Sequence, residues 1–119
     1  MARVLIGNDD PQLLELFAEL LRAAGHIVRV VADGHRAVEI ARHWRPDLVV
    51  VDLVMPKLDG ASAIQALRAD AATADIPILM ISGSERGEAL AVEAGADSFL
   101  AKPFGSAELV GRVNELLAR

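Results

Sequence analysis

Asp9 and Asp10 follow the apolar stretch ARVLIG, Asp52 closes DLVVVD, Ser82 closes IPILMIS, and Lys102 follows SFLA. Each of these polar side chains stands at the end of an apolar run, where a folded chain emerges from its core. Most have an ordinary explanation. Asp10-Pro11 is a good helix start, with Asp as the cap and Pro in the first helical position. Asp9 can be solvated, Ser82 can cap a following helix, and Lys102 before Pro103 can lie on the surface. Asp59-Gly60 is turn and cap chemistry and is kept as that. Asp52 is the hardest to explain in this way, because it ends a nearly continuous apolar strand and no helix starts directly after it.

If these residues meet, their chemistry is specific. Three carboxylates close together repel, and one would take up a proton unless a cation neutralised the group. A hard divalent ion does this. Mg²⁺ (or Mn²⁺) takes about six oxygen ligands, usually keeping waters beside one or two carboxylates and phosphate oxygens. No His or Cys lies near the set, so zinc is not expected. A carboxylate beside such an ion and a lysine is a nucleophile toward phosphorus, and the lysine and a hydroxyl can hold the phosphoryl oxygens. The set therefore points to phosphoryl transfer onto Asp52.

The elements that must position these residues are legible as alternating periodicities. Residues 2–7 read as a buried strand. Leu13, Leu16, Phe17, Leu20 and Ala24 then recur at helical spacing up to Gly25. Strand 26–32 carries Arg29, which suggests an edge. A helix from Gly34 to Trp44 stops before Pro46, and strand 47–52 is apolar throughout, as expected for a central parallel strand. A helix begins near Asp59, a strand covers 76–82, a short helix runs from Glu85 to Ala94, and a short strand covers 98–101. Leu109, Val110, Val113, Leu116 and Leu117 line a last helix. Such alternation predicts one doubly wound α/β domain over residues 1–119, with a parallel sheet and helices on both faces. Ligands of such sheets sit beyond the carboxyl ends of the strands.

Composition narrows the function further. The net charge is −5, which gives no general basic footprint for nucleic acid, and no direct nucleic-acid binding is expected. The absence of cysteine excludes disulfides and thiolate chemistry. No apolar run approaches the ~18 residues of a membrane span, and the start has no signal-like segment, so no membrane contact and a cytoplasmic location are expected. His26, His35 and His43 lack metal-ligand spacing and are read as surface or packing residues. Trp44 is read as the end of a helix's buried stripe.

Taken together, Asp9-Asp10, VVVDLVMPKLDG around Asp52, MISGS at Ser82 and GADSFLAKPF around Lys102 make the chain resemble the receiver domain of two-component response regulators over essentially its whole length. The resemblance implies a flavodoxin-like five-stranded sheet of order 2-1-3-4-5. It implies Asp52 as phosphoacceptor, supplied by a phosphohistidine on a sensor histidine kinase or a histidine phosphotransfer protein. Asp10, Asp52 and the backbone carbonyl of Val54 would hold Mg²⁺ directly, with Asp9 acting largely through water. Ser82, with Gly83 beside it, and Lys102 would hold the phosphoryl group. Phe99 would turn inward, and the Lys102–Pro103 bond would be cis. Phosphorylation would then alter the face formed by the fourth helix, fifth strand and fifth helix, which would control a partner or an output domain. Such a domain is not an enzyme, catalysing only its own phosphorylation and dephosphorylation.

Some residues depart from the family pattern. Ser82 replaces the commoner Thr, and Ser82 to Gly95 is about two residues shorter than in many members, so the loop after the fourth strand, or the first turn of the fourth helix, should be abbreviated or irregular. Val54 cannot orient a water, and no rapid self-dephosphorylation through it is expected. On the switch face Glu108, Arg112 and Arg119 suit a dimer and Asp97 can pair with an arginine. Glu88 opposite Glu108 would repel, so a monomer or weak dimer is expected. Three other readings are weaker. An aspartyl phosphatase or phosphotransferase commonly needs a second Asp where Val54 stands. A degenerate receiver would have lost an acid, the hydroxyl or the lysine. The acidic NDDP loop is hostile to a flavin phosphate.

Overall fold

The computed structural model describes all residues, 1–119. The chain alternates strand and helix: β1 (Arg3–Gly7), α1 (Pro11–Ala23), β2 (Ile27–Val31), α2 (Gly34–Trp44), β3 (Leu48–Asp52), α3 (Gly60–Ala69), β4 (Ile78–Ser82), α4 (Gly87–Ala94), β5 (Ser98–Ala101) and α5 (Ser106–Leu117). The five strands form one parallel sheet in the order β2-β1-β3-β4-β5.

Residue alternation along the strands divides the core in two. Val4, Ile6, Val50, Leu79 and Ile81 face α1 and α5, where they meet Phe17, Leu21, Leu109 and Val113. Leu5, Val49, Val51 and Met80 face the other layer, against Val38, Ile64, Leu67 and Ala91 of α2, α3 and α4. β3 and β4 are buried at every position because both of their faces are covered. Each fully buried Leu or Ile contributes about 1.5–3 kcal/mol of transfer free energy. The central strands are thus the firmest part of the molecule, and their ends are fixed points. β2 and β5 are the edge strands, and β2 shows it in its exposure. Arg29 is exposed there, and its guanidinium lies 5.4 Å from the Trp44 ring, with Arg3 on the same ring at 5.6 Å. Trp44 does close the buried stripe of α2, under two cations.

Two sequence boundaries move. β4 begins at Ile78, two residues later than the apolar pattern suggests, because Ile76 and Pro77 form the approach to the strand. Arg68 fixes that approach, donating to the Ala74 and Ile76 carbonyls at 2.9 and 2.6 Å and to Asp97 at 2.6 Å. α4 begins at Gly87 rather than Glu85. Residues 84–86 are instead a turn made by hydroxyls, with Ser84 N donating to Ser82 Oγ at 2.9 Å and Arg86 N to Ser84 Oγ at 3.2 Å. This is the irregular start expected from the shortened segment.

Candidate functional site

The strands end in register, and that places the polar residues. Gly7 pairs with Val51, so the residue after β1, Asn8, lies alongside Asp52 at the end of β3. Asp52 pairs with Ile81 and Ser82 with Ala101, which brings Ser82 and then Lys102 to the same edge. Single backbone bonds extend the ladder past the strands: Asn8 N to Val31 O at 3.1 Å, Leu53 N to Ile81 O and Lys102 N to Ser82 O, both at 3.0 Å. The result is a cleft of about 360 Å³ lined by Asn8, Asp9, Asp10, Asp52, Val54, Ser82, Gly83, Ser84 and Lys102, closed on one side by Leu13.

Asp52 is 5% exposed, and its charge is paired. Lys102 Nζ donates to Asp52 Oδ2 at 2.5 Å, and Val54 N donates to Asp52 Oδ1 at 3.3 Å. A buried carboxylate without such partners would be costly. Behind it, α3 begins so close to the acceptor turn that a side chain at Gly60 would collide with the Asp52 carbonyl. Gly60 N also donates to Leu53 O at 2.8 Å, so the turn after Asp52 is tied down. The Val54 side chain is 68% exposed and points no polar group at the acceptor.

Ser82 is buried at the end of β4 with its hydroxyl accepting from Ser84 N. Gly87, the first residue of α4, rests against it. A Cβ at Gly87 would lie 2.8 Å from both Ser82 Cβ and Oγ and 3.0 Å from Phe99 Cε1. Phe99 is half-buried on β5, and its carbonyl accepts from Arg112 Nη1 at 2.6 Å. The Lys102–Pro103 peptide is cis.

The acids divide differently from the sequence reading. Asp9 and Asp10 are both exposed, but Asp10 Oδ1 accepts from the backbone N–H groups of Gln12 and Leu13 at 2.9 and 3.4 Å, so it caps α1. Asn8, not singled out from the sequence, is 1% exposed in the cleft, and its Oδ1 accepts from Asp10 N at 2.9 Å. Counting one residue past the strand end, rather than stopping at the first acid, would have found it. Asp59 caps α3, donated to by Ser62 N at 2.8 Å, as its turn chemistry suggested.

Elsewhere the polar groups have structural partners. Asp33, buried beyond β2, caps α2 through Arg36 N at 2.8 Å. His26 meets Asn114 at 3.1 Å and His43 meets the Glu39 carbonyl at 2.9 Å. Asp97 pairs within the chain, with Arg68, rather than standing free on the switch face. Glu88, Glu108 and Arg112 line one groove between α4 and α5, where Arg112 is already bonded to Ser98 Oγ and the Phe99 carbonyl. Outside the cleft, the Ala72 N–H holds the Asp70 carboxyl below its ordinary range against some desolvation, with Arg42 and Arg45 assisting. A larger hollow of about 510 Å³ lies at the opposite ends of the strands, around Met1, His26 and Arg119, without any such constellation.

Comparison with known proteins agrees with this geometry. Residues 4–114 match the response regulator receiver domain family. The DNA-binding dual master transcriptional regulator RpaA of Synechocystis is 40% identical over 121 residues, an alignment spanning 100% of this chain and 50% of that protein. The DNA-binding response regulator MtrA of Mycolicibacterium smegmatis is 39% identical over 119 residues, covering 98% of this chain and 51% of its own. The chain thus spans about half the length of the curated relatives it matches. A response regulator from Chloroflexus aurantiacus superposes with a TM-score of 0.94 at 37% identity, covering 99% of this chain and 98% of that one. The receiver domain of a sensor histidine kinase from Pseudomonas aeruginosa, with a magnesium ion coordinated in its active-site cleft, superposes at 0.93 and 31% identity, covering 99% and 98%.

These relatives correct one expectation. The acidic balance suggested no direct nucleic-acid binding, yet the regulators that this chain resembles are DNA-binding proteins. Net charge over 119 residues describes the surface of this domain and says nothing of a chain twice as long. The sheet order, the paired acid at the end of β3 and the matches over nearly every residue lead to one conclusion: the chain belongs to the response regulator receiver domain family, the phosphoacceptor switches of two-component signalling.

Proposed function

We propose that Asp52 is the phosphoacceptor. The observation that carries this is its placement: a buried carboxylate at the end of β3, held by Lys102, with the Ser82 hydroxyl at the next strand end. An Asp52 oxygen attacks the phosphorus of a phosphohistidine on a sensor kinase or phosphotransfer protein. The P–N bond breaks, and the imidazole nitrogen keeps the electron pair and takes a proton. Lys102 then moves from the carboxylate to a phosphoryl oxygen, and Ser82 and the Gly83 backbone supply further donors. Residues 1–119 act as one such switch, catalysing no reaction other than its own phosphorylation and dephosphorylation.

The cleft lining suits a hard divalent ion: it carries the Asp9 and Asp52 carboxylates and no His or Cys, and the family resemblance adds the Val54 carbonyl as a third oxygen ligand. Magnesium in the cleft of the Pseudomonas aeruginosa relative supports this. When bound, Mg²⁺ or Mn²⁺ would offset negative charge on the acceptor and the phosphoryl group. Asp10 is assigned to capping α1, which differs from the direct metal role implied by the resemblance.

The readout we propose is a shift of α4, whose first turn touches Ser82 and Phe99. By likeness to the DNA-binding relatives, that shift governs a DNA-binding partner or output domain. A cytoplasmic site of action is proposed on the same likeness; no helix is long and apolar enough to cross a membrane. The test is intact mass after incubation with acetyl phosphate. The expected result is a single phosphoryl gain that requires Mg²⁺, is blocked by EDTA and is absent from Asp52→Asn. A gain that persists in Asp52→Asn would refute the assignment.

A further inference from the structure

The cleft holds fewer available carboxylates than the run Asn8-Asp9-Asp10 suggests. The position alongside Asp52 belongs to Asn8, whose side chain is uncharged. Asp10 spends its carboxylate on α1, and Asp52 is already paired with Lys102. Only Asp9, exposed at the rim, adds a free negative charge. The orientation of the Asn8 amide is fixed, because Oδ1 accepts from Asp10 N and the reversed amide would set NH₂ against N–H. No protein acceptor meets Nδ2. The only side-chain nitrogen sealed from solvent without a partner is His26 Nδ1, so the little surface that Asn8 keeps lies at Nδ2, on the cleft that Asn8 lines.

We infer that Asn8 is a positioning residue that keeps the resting cleft a weak divalent-ion site and turns a hydrogen-bond donor toward the phosphoryl group. A neutral amide in place of a carboxylate removes one ligand and one charge from the resting site. Affinity in oxygen-ligand sites follows ligand number and charge. An N–H donor cannot ligate a cation but can bond a phosphoryl oxygen. Ion and phosphoryl group therefore complete each other: the ion is held firmly once phosphoryl oxygens join Asp9, Asp52 and the Val54 carbonyl. The same neutral amide lessens repulsion of the incoming anionic group. This inference rests on the assignment of Asp52 as the acceptor.

Asn8→Asp is the direct test, because it keeps the Oδ1 acceptor for Asp10 N while adding a charge beside Asp52. Binding of Mn²⁺ alone is followed by the loss of its free-ion electron paramagnetic resonance signal, and thermal unfolding is followed with and without the ion. The expected result is Mn²⁺ binding tightened by about tenfold or more. Without metal, Tm should fall by about 3–5 °C from the added repulsion, and saturating Mn²⁺ should reverse the loss. A variant that folds only with Mn²⁺ is the same result in stronger form. If it does not fold at all, Asn8→Ala, which adds no charge but removes the amide donor, should leave Mn²⁺ binding by the resting protein unchanged and slow the Mg²⁺-dependent phosphoryl gain. Unchanged Mn²⁺ affinity in Asn8→Asp or, where that variant does not fold, an unchanged rate of phosphoryl gain in Asn8→Ala, overturns the inference and leaves Asn8 a turn-forming residue. Asp52→Asn separates the two claims. If it binds Mn²⁺ as the natural chain does, the underlying site assignment fails; if it loses binding while Asn8→Asp changes nothing, only the role of Asn8 fails.

Discussion

Asp52 and Asp10 are both aspartates at the carboxyl edge of the sheet, and their partners give them different jobs. Asp52 meets an ammonium and one backbone N–H, with its surroundings buried. Asp10 meets two helix N–H groups and stands in solvent. Asp10→Ala should therefore cost about 1 kcal/mol of stability, the value of a helix cap, and leave the Mg²⁺-dependent phosphoryl gain in place. Thermal unfolding and intact mass measure the two effects separately. Loss of the phosphoryl gain would return Asp10 to the ion site. The sequence made Asp52 stand out because an apolar strand ending on a charge needs a partner. It could not rank the neighbouring acids, because Asp-Pro is equally a cap and a ligand until the register is known. Asn8 escaped notice for the same reason: an amide before two acids looks like turn chemistry, and only the pairing of Gly7 with Val51 puts it beside Asp52.

The least regular part of the chain joins β4 to α4, and it is also where the site meets the switch face. Residues 84–86 form a short turn held by the Ser82 and Ser84 hydroxyls, and α4 then starts on a glycine packed against Ser82 and Phe99. The methyl group of Gly87→Ala would overlap both side chains. Overpacking of this kind costs about 1–3 kcal/mol, more than an exposed helical Gly→Ala change returns. The variant should lose stability and keep its phosphoryl gain. Its phosphodonor-dependent change in amide hydrogen exchange across Gly87–Ala94 should be lost, because α4 no longer rests on Ser82. A variant of unchanged stability, with the natural exchange response, would show that this contact carries no coupling. The shortened segment was visible in the sequence as GSERGEAL. Its form was not, because hydroxyl-to-backbone turns have no periodicity to read.

The molecule as a whole places a rigid sheet behind a small cleft. β3 and β4 are covered on both faces, Arg68 ties the start of β4 to the turn before β5, and the polar residues gather where the covered strands end. The fold class was readable because hydrophobic periodicity changes with each element and a parallel sheet buries its central strands entirely, whereas the strand order came from the family resemblance alone. The edge position of β2 was readable from Arg29. The in-chain pairing of Asp97 with Arg68 was not, since it joins residues far apart in sequence across the ends of α3 and α4.

The phosphoacceptor proposal requires that one oxygen of Asp52 carry the phosphoryl group. An acyl phosphate, unlike a phosphate ester, is reduced by borohydride to an alcohol. Phosphorylation with Mg²⁺, followed by borohydride reduction, proteolysis and peptide mass analysis, locates it directly. Homoserine is expected at position 52 in the treated protein, and unmodified aspartate at 9, 10 and 59. Homoserine at any of those other positions, or a phosphoryl gain that leaves no reducible aspartate, would contradict it.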